Sequence, residues 1–218
     1  MARRVLALFA KAPIPGEVKT RLAPQLTPER AAAFYEAMLL DVLDLHAFAP
    51  DCELALWFTP DESEQWFAKH APQRYRRIAQ RGETLAERMR ALFQQHEREG
   101  FTRVVLRGTD SPTLPESRIA QAFAALEHAP LVLSPDRDGG YNLIGQCAPH
   151  DALFDLELSR ASVLAATLAR ARELGLSAEL LPAHHDVDTW ADVVRLGAEL
   201  DPARTPRTLT QYRALVAD

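Results

Sequence analysis

Short apolar runs alternate with helix-patterned stretches along the whole chain, and this alternation constrains the fold more than any other feature. Residues 5–10 form an apolar run without a polar interruption, as expected of a strand covered on both faces. A polar loop at 11–24 follows, and Thr27 then precedes Pro28 as N-cap and first position of a long amphipathic helix. Further strands are predicted at 54–58, 104–106, 131–133, 141–144 and 178–181. Helices are predicted at 61–70, 84–99, 115–126, 159–174, 189–200 and around 209–216. Strands that alternate with helices build βαβ units around a mainly parallel sheet. The 218 residues contain no internal repeat, linker or low-complexity segment, so the expectation is a single α/β domain spanning 1–218.

Composition narrows the ligands. Hydrophobic residues make up 47% and charged residues 25%, with a net charge of −5, so no general basic field draws in nucleic acid or anionic membrane. An anionic ligand must then be held by a local cluster of cations. No apolar run approaches the length of a membrane span. Cys52 and Cys147 form neither a disulfide framework nor a CxxC pair, which suits a reducing compartment. The two arginines before the first apolar run resemble the start of a signal peptide, but the run stops at Lys11 without a small-residue cleavage site. A first strand and a cytoplasmic protein are expected.

In open α/β sheets ligands bind beyond the carboxyl ends of strands, and four segments leave such ends carrying unusual polar residues. In the first, Pro13, Pro15 and Gly16 fix the backbone while Lys11, Lys19 and Arg21 gather positive charge suited to phosphate oxygens. It is neither a Walker A sequence nor a GxGxxG fingerprint, and a solvated basic loop is its bland alternative. The second, residues 108–115, brings out Asp110, a carboxylate able to ligate Mg²⁺ or Mn²⁺ or simply to cap a turn. The third, residues 134–142, carries Asp136, Arg137 and Asp138 before Gly139 and Gly140. It reads as a hairpin-like turn or as a ligand-facing wall continued by Tyr141 and Asn142.

The fourth segment, residues 184–190, holds Asp186 and Asp188, which share a side in extended chain. His184 and His185 raise the thought of zinc. However, adjacent strand residues point to opposite faces and no Cys or His cluster completes the site, so a hard-cation role for one aspartate is favoured. Thr189 is placed to cap the following helix. A weaker signal surrounds Gly82, where Thr84 and Glu87 have capping-box spacing and Arg88 is a candidate by neighbourhood alone.

These segments, in this order, resemble the nucleotide-diphospho-sugar transferase superfamily. More narrowly they resemble the radical-SAM/selenodomain-associated transferases, also called arsenosugar-biosynthesis glycosyltransferases, related to the guanylyltransferases of phospholactate and molybdenum cofactor. The resemblance rests on the Val-Lys-Thr-Arg-Leu core at 18–22, on 108–114, on Asp-Gly-Gly-Tyr at 138–141 and on 186–192. It implies a single-domain, three-layer α/β/α, Rossmann-like GT-A fold. It further implies phosphate binding by Lys11, Lys19 and Arg21, with catalysis carried by Asp110, Lys19 and Arg21. The divalent ion would sit on Asp110 with Asp188 or Asp186. Gly82 and Arg88 would seat the nucleotide, and Asp138, Gly139, Gly140, Tyr141 and Asn142 would face the acceptor or sugar. Relatives carry Trp-Ser-Thr where this chain has Leu158, Ser159 and Arg160, so acceptor identity transfers least.

Three activities follow as expectations. The first is Mg²⁺- or Mn²⁺-dependent glycosyl transfer from a nucleotide-diphosphate sugar to a small-molecule acceptor. The second is nucleotidyl transfer from a nucleoside triphosphate with release of pyrophosphate. The third is a non-catalytic nucleotide-binding protein on the same fold.

Overall fold

The computed structural model describes residues 2–49, 51–155 and 163–217. Among these residues seven strands run as β1 Arg4–Lys11, β2 Glu53–Thr59, β3 Arg76–Ala79, β4 Arg103–Gly108, β5 Leu131–Pro135, β6 Tyr141–Gln146 and β7 Ala178–Leu180. They form one sheet in the order β3-β2-β1-β4-β6-β5-β7. Every pairing is parallel except those of β6, which runs antiparallel to both β4 and β5. The expected α/β fold with a mainly parallel sheet is therefore what the chain adopts.

Among the described residues seven helices accompany the sheet: α1 Pro28–His46, α2 Glu64–His70, α3 Leu85–Arg98, α4 Ser117–Ala125, α5 Val163–Glu173, α6 Trp190–Leu196 and α7 Pro206–Val216. Side chains alternate along a strand, so a continuous apolar strand needs cover on both faces. On one face Leu6 and Leu8 of β1 pack with Leu39 and Val42 of α1 and with Ile119 and Phe123 of α4. On the other, Val5 and Ala7 pack with Met89, Leu92 and Phe93 of α3. A third cluster joins Leu22 of the loop after β1 and Phe34 and Met38 of α1 with Val187 of the connection after β7, Val193 of α6 and Leu215 of α7. It fastens the carboxyl-terminal helices to the two loops on either side of the candidate site.

Helix starts follow their capping chemistry. Thr27 accepts a hydrogen bond from the Arg30 amide, and Thr84 and Glu87 close the expected capping box. Thr189 forms a second box with Asp192. Several boundaries differ from expectation. β3 is an additional strand, and Thr20–Leu22 and Asp151–Phe154 are short 3-10 turns. The helix expected over 61–70 opens as a 3-10 turn, Asp61–Ser63. α6 stops at Leu196 rather than 200, and α7 starts earlier than expected, at Pro206. The segment 136–140 joins antiparallel strands and is thus the hairpin turn of its bland reading. Of the helix expected at 159–174, the part before Val163 lies outside the described residues, as do Leu158, Ser159 and Arg160.

Candidate active site

Parallel register lines up the carboxyl ends of β1, β2, β3 and β4 at one edge: Lys11 pairs with Thr59, Phe58 with Ala79 and Phe9 with Gly108. Because β6 is antiparallel, its amino end, with Tyr141 and Asn142, meets the same edge. The turn after β5 and the segment after β7 arrive there too, joined by a bridge between Asp136 and His184. Residues far apart in sequence thus face one cleft. One part of it, of about 510 Å³, is lined by Lys11, Lys19, Arg21, Arg88, Asp110 and Asp188. A neighbouring part of about 640 Å³ shares Arg21, Asp110 and Asp188 and adds Asp138, Tyr141 and Asp186.

Lys19 is the centre of the arrangement. Its backbone is left-handed (φ 47°, ψ 38°), a conformation that L-residues other than glycine rarely adopt. Buried Val18 and Leu22 on either side hold it there. The side chain, 3% exposed, donates to Asp110 Oδ1 and lies 3.3 Å from Asp188 Oδ1. Burial opposes its charge, but Asp110 and Asp188 outweigh that effect and raise its pKa, so the ammonium stays protonated. Arg21 Nη1 donates to Asp188 Oδ2 at 3.0 Å. Lys11 is exposed at the cleft and donates to the Glu17 carbonyl at 3.0 Å.

Asp110, Asp136, Asp186 and Asp188 line the same part of the cleft. Val187 N donates to the Asp110 carbonyl at 2.9 Å, tying the loop after β4 to the loop after β7. Asp136 Oδ1 accepts from the Arg137 amide at 2.8 Å and the Asp186 amide at 3.1 Å. Burial, with Asp110 and Asp136 adding repulsion, pushes the Asp186 carboxyl up to about 8. Its Oδ1 is buried and has no hydrogen-bond partner among the described residues. An all-oxygen donor set with excess negative charge and an unpartnered buried oxygen suits a hard divalent cation such as Mg²⁺ or Mn²⁺.

The remaining predicted residues separate into those that face the cleft and those that shape it. Arg88 lines the cleft, fixed by its bond from Nε to the Gly82 carbonyl at 2.9 Å. Gly82 has φ 120°, and a Cβ there would stand 2.6 Å from the Glu87 Cβ, so it is a turn residue against α3. The cleft wall at this point is Gln80, Leu85 and Arg88. Gly140 and Tyr141 face the second part of the cleft. Gly139 (φ 90°) closes the hairpin turn, its amide N–H donating to the Asp136 carbonyl at 3.3 Å. Asn142 is buried beside Tyr141 and bonds the Pro135 carbonyl at 3.4 Å.

Two residues of the site escape sequence reasoning. Tyr35, on the apolar face of α1, reads as core, yet its hydroxyl bonds Thr109 Oγ1 at 3.2 Å and accepts from the Lys11 amide at 3.2 Å. Burial, then Asp110, pushes this phenol up to about 12. Thr109 in turn donates to the Phe9 carbonyl and joins the first and fourth strand ends. The expectation that His184 and His185 point to opposite faces is overturned. Their rings lie 4.8 Å apart and tilted by 31°, because the segment is an irregular connection rather than a strand.

Fold and cleft together define an α/β protein of the nucleotide-diphospho-sugar transferase type of fold, with cations and carboxylates gathered at the carboxyl edge of its sheet. The chain belongs to DUF2064, a family described as an uncharacterized protein conserved in bacteria, whose model matches residues 42–157. It is 32% identical to a candidate nucleotide-diphospho-sugar transferase from Desulfovibrio desulfuricans G20, covering 100% of this chain and 96% of that one with a TM-score of 0.89. At 11% identity it resembles 4-diphosphocytidyl-2C-methyl-D-erythritol synthase from Anaerococcus prevotii DSM 20548, covering 90% and 97% with a TM-score of 0.57. At 12% it resembles CMP:2-keto-3-deoxy-manno-octonic acid synthetase complexed with CTP, covering 99% of each chain with a TM-score of 0.54. The last two likenesses are of fold alone. No curated protein matches the sequence.

Proposed function

We propose that the protein is a divalent-cation-dependent transferase that takes a nucleotide-diphosphate sugar as donor and passes its sugar to a small acceptor. The observation that carries this reading is Lys19, a buried ammonium held charged between Asp110 and Asp188 at the mouth of a cleft. The 32% identity to the Desulfovibrio protein supports a sugar-nucleotide donor.

In this reading Lys11, Arg21 and Arg88 bind the donor phosphates, Arg21 and Arg88 offering planar forks and Lys11 a point charge. Asp110 with Asp188 or Asp186 would hold Mg²⁺ or Mn²⁺, which supplies Lewis-acid stabilisation of phosphate charge when bound. Lys19 and Arg21 stabilise the charge that grows on the departing nucleotide diphosphate. They are already oriented by carboxylates, so little reorganisation is needed during the reaction. Asp138, Gly140 and Tyr141, in the adjoining part of the cleft, orient the acceptor toward the sugar.

A second reading is nucleotidyl transfer, favoured by the concentration of Lys11, Lys19 and Arg21 on a single loop, which suits a triphosphate. Phosphorus NMR of the products separates the two: nucleoside diphosphate forms in glycosyl transfer and pyrophosphate in nucleotidyl transfer. Under either chemistry Lys19→Met is expected to lower kcat/KM by about 10²- to 10³-fold, mainly through kcat. A Lys19→Met enzyme with unchanged kcat sinks the assigned role of this residue.

A further inference from the structure

Thr113, His184, His185 and Glu199 come together from three segments: the loop after β4, the connection after β7 and the turn beyond α6. None of the four lines the cleft described above. His184 Nε2 lies 3.2 Å from Thr113 Oγ1, which donates to Glu199 Oε2 at 3.0 Å. His185 Nε2 lies 3.7 Å from the same carboxylate oxygen. One ligand atom from each of His184, His185 and Glu199 falls within 4.8 Å of the others.

His185 is the second, independent observation. Its side chain is 3% exposed, and its Nε2 has no hydrogen-bond partner among the described residues. A buried polar nitrogen without a partner is costly unless something binds it. The Glu199 oxygen lies too far for a hydrogen bond and is already engaged by Thr113. An ion between the two imidazoles and the carboxylate satisfies all three.

We propose that His184, His185 and Glu199 bind a zinc-class divalent ion, with Thr113 or water completing the coordination. Two imidazoles and one carboxylate form a characteristic zinc donor set. Imidazole nitrogen selects zinc, nickel or copper over magnesium, so the site differs in class from the all-oxygen carboxylate group of the cleft. Ligand atoms around a tetrahedral ion with bonds of about 2.1 Å stand about 3.4 Å apart, so a modest inward movement of the partly exposed Glu199 side chain closes the site. The ion would pin the loop that carries Asp110 and the loop that carries Asp186 and Asp188 to the end of α6. Its role is structural support of the cleft, and it holds whichever transfer reaction the cleft performs.

The test uses untagged full-length protein freed of metal by chelator dialysis. Zn²⁺ binding is measured by competition with a chromophoric chelator in excess Mg²⁺, and Co²⁺ substitution is followed by visible absorption. The proposal predicts one Zn²⁺ per chain, undisturbed by Mg²⁺, and the strong visible bands of a low-coordinate Co²⁺ site. Glu199→Gln and His184→Gln should each weaken Zn²⁺ by at least about tenfold, while Asp110→Asn leaves it unchanged. Having two variants on exposed or half-buried ligands guards against misfolding of either one. Failure to bind Zn²⁺, binding indifferent to both ligand variants, or binding lost in Asp110→Asn overturns the site.

Discussion

Lys19 and Asp186 show how far individual residues in the cleft depart from their ordinary behaviour. Lys19 accepts a left-handed backbone that costs about 1–2 kcal/mol, and neighbouring apolar anchors compensate for it. The benefit is a charge fixed between carboxylates contributed by two other loops. Asp186 is shifted the opposite way, with its carboxyl raised from 3.8 to about 8 by burial and by its acidic neighbours. A carboxyl whose folded pKa exceeds its unfolded value binds a proton more tightly in the folded chain. Its contribution to stability is therefore complete below about pH 4 and is lost as pH rises through about 8. Asp186→Asn removes that dependence. Thermal unfolding across this range should show the variant gaining on the wild type as pH rises, with little difference at pH 4. A constant offset at every pH means that Asp186 ionises normally.

Among the elements, short polar signals at helix starts were the most legible part of the sequence. Thr27 before Pro28 and the Thr84–Glu87 spacing specify local hydrogen bonds that need no tertiary context, and both form as read. Thr189 is of the same kind, but its capping box with Asp192 directly follows Asp188, whose amide also reaches Asp192. Thr189→Ala should thus cost about 1 kcal/mol of stability and also loosen the Asp188 loop. Paired measurements of chemical denaturation and donor KM test this: KM should rise for Thr189→Ala but not for Thr27→Ala, whose cap on α1 lines neither part of the cleft, at similar losses of stability. Equal KM values would separate the cap from the cleft. β3 was not legible because Arg76–Ala79 is four residues long with two arginines, and only pairing with β2 makes it a strand. The His184–His185 pair departs from strand alternation for a related reason. The direction of this segment is set by the Asp136 bridge and by bonds to Pro135 and Arg137, which no local pattern carries.

For the molecule as a whole, one sheet edge collects the four polar segments that the sequence places beyond strand ends. The parallel pattern of apolar runs implied that loops after strands would converge, and the cations and carboxylates of residues 11–24, 108–115 and 184–190 do converge. Convergence of Tyr141 and Asn142 needed the reversed direction of β6, which pattern alone does not specify. Tyr35, Thr109 and the partnership of Glu199 with the two histidines depend on packing between distant segments, and nothing local announces them. In the proposed function this edge binds a nucleotide donor through its phosphates together with a divalent ion at Asp110. Titration calorimetry of nucleotide-diphosphate sugars and nucleoside triphosphates, with and without Mg²⁺ or Mn²⁺, tests it most directly. The prediction is binding that requires the ion in the wild type and is lost in Asp110→Ala. Binding of no nucleotide, or binding indifferent to both the ion and Asp110, contradicts it.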